Sequence, residues 1–312
     1  MGNATLVIAR REFLEKMRAP YVIALSLVYA LLIVVNNTIV YQWFLDDLRN
    51  INIFSVTIIG YPQPQPNLQL LTGMNLFLAL GPLFVIAIAF GTVVYEKSTR
   101  SLNLLLSHPV SRSNIVIGKV LGLTLVFLPV VATLPVLGVA VSLASVGGLT
   151  LQMAIRLVCL ELLAVLYLFF WLALTMLISV VAPSPGDSLA IAGAVWLVLL
   201  QTVFQPLADA FVAGLVFPGQ SALQIASSPL YLSLNSLVTS LLPPYGVADA
   251  IFGQKTALGF STGVIPTSYI LNPSITLLSW LSYAFGDFLV LCVSSVVLLL
   301  ASHFLFSKMD LG

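Results

Sequence analysis

An all-α integral membrane protein is the fold class this sequence predicts, and three observations predict it. Of 312 residues, 60% are hydrophobic and only 7% are charged, against roughly 25% charged in a soluble domain. Mean hydropathy is +1.09, so too little polar surface exists to cover a water-soluble fold of this size. The apolar residues fall into six runs, Pro20–Tyr41, Gly73–Tyr95, Val116–Val146, Leu151–Val181, Ser188–Phe204 and Leu277–Phe306. Each matches the length of about 20 residues that a helix needs to cross the hydrocarbon. The expected architecture is a six-helix transmembrane bundle with an N-terminal amphipathic elbow helix and short extracytoplasmic helices.

One transmembrane domain is expected to fill residues 1–312. Residues 1–19 form the elbow and 20–95 hold spans one and two, with an outer segment at 44–72. A cytoplasmic loop occupies 96–119, and spans three to five lie within 116–204. An extracytoplasmic helical region covers 205–276, and 277–312 hold span six and the tail. The first apolar run stands behind charged residues and lacks a small-residue cleavage pattern, so it is expected to remain as a span.

Charge sets the orientation. With the N-terminus inside, the cytoplasm receives Arg10, Arg11, Lys16, Arg18, Lys97, Arg100, Arg112, Lys119 and Lys308, and the other side Arg49, Arg156 and Lys255. Nine of 12 basic residues on one side is a positive-inside signal. Both termini should then be cytoplasmic, in a multi-pass protein of the cell membrane. A net charge of +1 excludes nucleic-acid binding by bulk electrostatics. Cys159 and Cys292 lie far apart in apolar runs and act as small hydrophobes. His108 and His303 have no metal-ligand spacing.

In Ala4–Arg18, the residues Leu6, Ala9, Phe13 and Met17 recur at helical spacing, with Arg10, Arg11, Glu12, Glu15 and Lys16 between them. This pattern predicts a helix in the headgroup plane with its apolar side down. A Glu12–Lys16 pair would support it, and Pro20 would mark the bend into span one. The segment serves either as a positive-inside anchor or as an elbow that also touches a cytoplasmic partner.

Residues 205–276 are apolar but broken by Pro206, Pro218, Pro229, Pro243, Pro244 and Pro266. Leu207–Phe217 and Leu230–Leu242 are too short to cross the membrane, so external helices are expected, with a re-entrant pair as the alternative. Tyr61–Pro66 reads as a stiff polyproline-type stretch, a rigid linker in the first place and a partner-docking peptide as the alternative.

The loop Glu96–Lys119 carries the most information. Ser98 can cap a short helix that Pro109 ends. That helix would present Leu102, Leu105 and Leu106 outside the membrane, bracketed by Lys97, Arg100 and Arg112. Such a leucine cluster fits a groove on a soluble protein, or else the lipid surface.

The stretch Tyr95-Glu96, Ser101-Leu102, Leu104-Leu105-Leu106-Ser107, Pro109-Val110-Ser111-Arg112 and Gly118-Lys119 resembles the ABC-2 type permeases, including the one serving nitrous-oxide reductase maturation. The opening Ile8-Ala9-Arg10-Arg11-Glu12-Phe13 and the ending Phe304–Asp310 are similar to that family too. Arg100 and Ser101 stand where the family usually has Gly-Thr, so the loop helix would start differently here.

The resemblance implies a permease dimer, of two copies or with a second permease, over two cytoplasmic ABC ATPase subunits. It implies that Leu102, Leu105 and Leu106 are buried contacts with the ATPase, with Glu96, Pro109 and Arg112 framing them. Arg10, Arg11, Glu12 and Phe13 would belong to the elbow. ATP and magnesium would reside on the partner, since the chain has no Gly-x-x-x-x-Gly-Lys-Ser/Thr loop. It is therefore expected not to be an enzyme and to hold no cofactor or metal of its own.

Within the spans, Glu161 and Arg156 stand out. An intramembrane carboxylate is a functional hypothesis by default, and a structural pair or a packed Glu is the plain alternative. Asp287 fits a solvated interface, and Gly118-x-x-x-Gly122 fits close helix packing. Three functions compete: an export permease; a subunit that moves an extracytoplasmic partner without transport; and an intramembrane enzyme using Glu161. The last is weakest, because no second catalytic group stands at a suitable spacing.

Overall fold

A computed structural model describes residues 2–35, 80–99, 111–146, 151–199 and 277–308. All regular elements among the described residues are helices. Helix α1 (Gly2–Met17) is separated from α2 (Pro20–Val35) by Arg18 and Ala19. Pro20 lacks an N–H and has a fixed φ, which suits the first position of a helix and no interior one. Residues 80–89 are helical, turn at 90–93 and continue as α3 (Val94–Ser98). The set ends with α4 (Arg112–Val146), α5 (Leu151–Val181), α6 (Pro185–Leu199) and α7 (Leu277–Lys308).

Four stretches are long and apolar enough to cross a membrane: Leu80–Ser98, Arg112–Thr133, Glu161–Val181 and Phe288–Lys308. They coincide with four of the apolar runs, so the protein is a multi-pass helical membrane protein. The other two runs appear as α2 and α6, each reaching the edge of the described residues. The segments 44–72 and 205–276 lie outside the described residues.

Helices α4 and α5 form the centre. Burial along α5 recurs at Leu163, Ala164, Tyr167, Leu168, Trp171, Leu172, Met176 and Val180, the spacing of a helix packed over a broad face. Helix α7 packs along α5, α6 against α5, and both α1 and α2 against α4. Tyr29 on α2 meets Phe84 edge-on with ring centres 5.8 Å apart. Helix α7 buries much less of itself than the other spanning helices, and Val293, Val296, Val297, Leu300 and Phe304 point away from the chain. In a bilayer such a face is satisfied by lipid or by another subunit.

Helices α1 and α4 approach closely, and Gly118 and Gly122 explain it. A Cβ on Gly122 would stand 2.6 Å from the carbonyl oxygen of Ala9 and 2.7 Å from Glu12 Cβ. One on Gly118 would stand 2.8 Å from Ile8 Cβ and 3.0 Å from the Thr5 carbonyl oxygen. The small-x-x-x-small spacing thus receives the N-terminal helix.

That contact also divides the expected apolar stripe of α1. Ala9 and Glu12 are buried and Ile8 and Phe13 pack on the core, whereas Leu6 and Met17 are exposed with Val7 and Leu14. The inner face is therefore the one that lays its backbone over the two glycines, with Ile8, Ala9 and Glu12 against α4, rather than the one that the apolar spacing picks out.

The packing predicts opposite outcomes for two glycines. Gly122→Ala should destabilise by about 1–3 kcal/mol, since a backbone cannot move aside cheaply. Gly193 on α6 has open space around its missing side chain, so Gly193→Ala should be neutral or stabilise by up to about 1 kcal/mol. Thermal unfolding in detergent distinguishes the two; equal melting temperatures would contradict the α1–α4 contact.

Candidate functional site

The turn at residues 90–93 interrupts a spanning helix and exposes backbone groups that a continuous helix would satisfy. Neighbouring helices supply the partners. Ser179 Oγ on α5 accepts from the amides of Val93 and Val94 at 3.1 and 3.2 Å. Ser188 Oγ on α6 donates to the Phe90 carbonyl at 2.7 Å. Gly91 leaves room for the Tyr95 ring, which a Cβ there would overlap, and that ring packs edge-on against Phe90.

The carbonyl of Thr92 accepts from Lys119 on α4 at 3.0 Å. Lys119 is only 2% exposed. Its ammonium also donates to Glu12 Oε1 on α1 at 2.6 Å and pairs with Glu96 Oε1 on α3 at 2.9 Å. An ammonium has three donors, and here each meets an oxygen from a different part of the chain. The pairings are charge-assisted and buried, so water cannot readily replace a lost partner.

Glu96 stands at one root of the loop that joins α3 to α4, and Arg112 stands at the other. Arg112 Nη1 donates to the carbonyls of Phe306 and Ser307 at 3.2 and 2.8 Å. Both carbonyls belong to the last turn of α7, where a cation is favoured. Next to it, Ser113 Oγ lies 2.8 Å from His303 Nε2. The Glu12 end of α1, both loop roots and the end of α7 therefore gather at one end of the bundle, the grouping that the basic residues assign to one side.

Apart from Phe13, which packs against the core, the predicted elbow and loop residues fall into three groups. Glu12, Glu96 and Arg112 are all tied into this polar end. Leu102, Leu105, Leu106 and Pro109 lie outside the described residues. Arg10 and Arg11 are exposed on α1. The expected Glu12–Lys16 pair is not formed: Glu12 turns inward because Lys119 is buried beside it, while Arg11 and Glu15 approach across the exposed face at 4.0 Å. Lys16 instead reaches the Tyr21 hydroxyl at 3.4 Å. Ser98 Oγ donates to the Tyr95 carbonyl at the close of α3.

Glu161 is half-buried on α5 and has no ion-pair partner among the described residues; the Arg156 side chain lies outside them. Lys119, Thr92, Ser179 and Ser188 are the residues that sequence reasoning missed. A lysine following Gly118 within an apolar helix was the available signal for the first, and it entered only the charge balance and the family motif, with no partner assigned to it.

Two comparisons with known proteins bear on this site. A family model described as "ABC-2 family transporter protein" matches residues 6–311. Over 115 residues the chain is 29% identical to "Probable ABC transporter permease protein NosY" of Pseudomonas aeruginosa, a stretch covering 37% of each protein.

Removing the ammonium should be worse than removing the whole polar set. Lys119→Met leaves two carboxylates facing a buried space and should cost about 3–5 kcal/mol, whereas replacing all three charged residues with apolar ones should cost only about 1–3 kcal/mol, for a Thr92 carbonyl without its donor. Thermal unfolding of Lys119→Met beside the triple variant Glu12→Leu, Glu96→Leu, Lys119→Met checks this. A triple variant less stable than Lys119→Met would contradict it.

Proposed function

Because this chain belongs to the ABC-2 family of transporter proteins, we propose that it is the membrane permease of an ATP-driven exporter, worked by separate cytoplasmic ABC ATPase subunits. The observation that carries the reading is the anchoring of one loop at both roots. Glu96 is held through Lys119 to α1 and α4, and Arg112 is held to the end of α7. A loop that only linked two spans would need neither tie. One that receives force from a soluble partner needs both, because a slack root absorbs displacement instead of passing it on.

In this reading the loop between the roots lies in the cytoplasm, with both termini on the same side. Leu102, Leu105 and Leu106 enter the ATPase, and ATP and magnesium stay on that partner. Two permease subunits, identical or paired with a second kind, enclose the path. The Pseudomonas relative carries the name of an ABC transporter permease, which supports the same class of function. The chain itself has no phosphate-cradling glycine loop, so it is not the enzyme of the pair.

Burying one leucine side chain stabilises by about 1.5–3 kcal/mol, so two lost anchors should weaken docking by about a hundredfold or more. Leu102→Ser with Leu105→Ser should therefore release the ATPase while the helical bundle stays folded. Co-purification with a tagged ATPase, beside size exclusion of the permease, provides the test. Normal co-purification would overturn the docking assignment.

A further inference from the structure

We propose that Lys119 is a positioning residue of energy coupling: it joins the N-terminal helix, the Glu96 root of the loop and α4 into one mechanical unit. The inference rests on the coupling reading above and adds to it the residue through which loop motion reaches α1. Two kinds of contact hold α1, and they resist different motions. The Gly118–Gly122 surface lets α1 lie close to α4, and close packing of small residues opposes separation. Packing of Ile8, Ala9 and Glu12 over the two glycines is non-directional and resists sliding along the helix axis less sharply than a bond between two atoms.

Directed bonds oppose sliding. Glu12 and Lys119 are 107 residues apart in the chain and meet at 2.6 Å, and a shift of α1 by a fraction of a helical turn would part them. The same ammonium holds Glu96 Oε1 and the Thr92 carbonyl, so α3 cannot move away from α4 without breaking contacts in a buried place. The turn at 90–93 is where the spanning helix would otherwise bend. Its Thr92 carbonyl is held by Lys119 and its amides by Ser179. A displacement entering at the loop is consequently passed to α1 and α4 rather than absorbed at the turn.

Lys119 lies too deep to touch the ATPase, and its effect is to keep the elements that do move in register. Simple stabilisation would be replaceable by apolar side chains of similar size. Register would not, because apolar contacts are non-directional. That difference separates the two roles experimentally.

The test uses the full chain in complex with its ATPase, with Cys159→Ala and Cys292→Ala removing the native thiols. Spin labels are placed at the exposed positions Arg11→Cys on α1 and Ser98→Cys on α3. Their distance is measured without nucleotide and after trapping with ATP and vanadate. The proposal expects one distance, equal in the two states. The triple variant Glu12→Leu, Glu96→Leu, Lys119→Met should keep its fold, and it should keep its ATPase through Leu102, Leu105 and Leu106, because Glu96 is turned inward to Lys119 and does not carry the docking. It should show a distance that changes with state and lose ATP-coupled turnover by about tenfold or more, as misplacement remote from chemistry does. A state-dependent distance in the native complex would overturn the Lys119 assignment whether or not the triple variant folds. So would a folded triple variant with native distances and full turnover. Failure of the native chain to hold the ATPase would instead overturn the permease reading and this inference with it.

Discussion

One buried ammonium organises the end of this bundle. Lys119 sits in an apolar helix, where an unpaired charge would be prohibitive, and the fold answers with an oxygen for each of its donors. The consequences spread outward. Glu12 must face inward, so the rotation of α1 is set. The turn at residues 90–93 leaves the Thr92 carbonyl open, and it takes the third donor. Glu96 must reach the same point, so the loop begins where α3 ends. Two glycines on α4 then let α1 approach closely enough for Glu12 to arrive.

The second root of the loop follows a different principle. Arg112 donates to carbonyls in the last turn of α7, where a cation is favoured. Its partner is thus the most peripheral of the spanning helices, α7, whose outer face is apolar and exposed along much of its length. Whatever acts on the segment between the two roots acts at once on the centre of the bundle and on its edge. This geometry suits the coupling proposed above, in a chain of the ABC-2 family of transporter proteins.

Much of the architecture was legible because it rests on composition and local patterns. Long apolar runs report spans whatever their partners, and Pro20 reports a helix start through its missing donor. Gly118 and Gly122 report a close contact, though not which helix fills it. The orientation of α1 was not legible: Leu6, Ala9, Phe13 and Met17 have the right period, yet its inner face is chosen by the space the glycines leave and by a charge far along the chain. The polar centre was half legible. Glu12, Glu96 and Gly118-Lys119 each stand in a stretch that resembles the family, but no sequence period relates residues 107 apart, and only the fold brings them together. Ser179 and Ser188 gave no signal at all, since a serine in a spanning helix usually bonds its own backbone, as Ser295 does.

The central claim is that α1 and the loop root depend on one another through Lys119. A double-mutant cycle on Glu12→Gln and Glu96→Gln, read by thermal unfolding of the detergent-solubilised protein, tests it most directly. Two carboxylates sharing one buried ammonium should couple, with the double variant departing from the sum of the single ones by about 1–3 kcal/mol. Additivity within about 0.5 kcal/mol would mean that the two carboxylates do not share a partner, and would contradict the account.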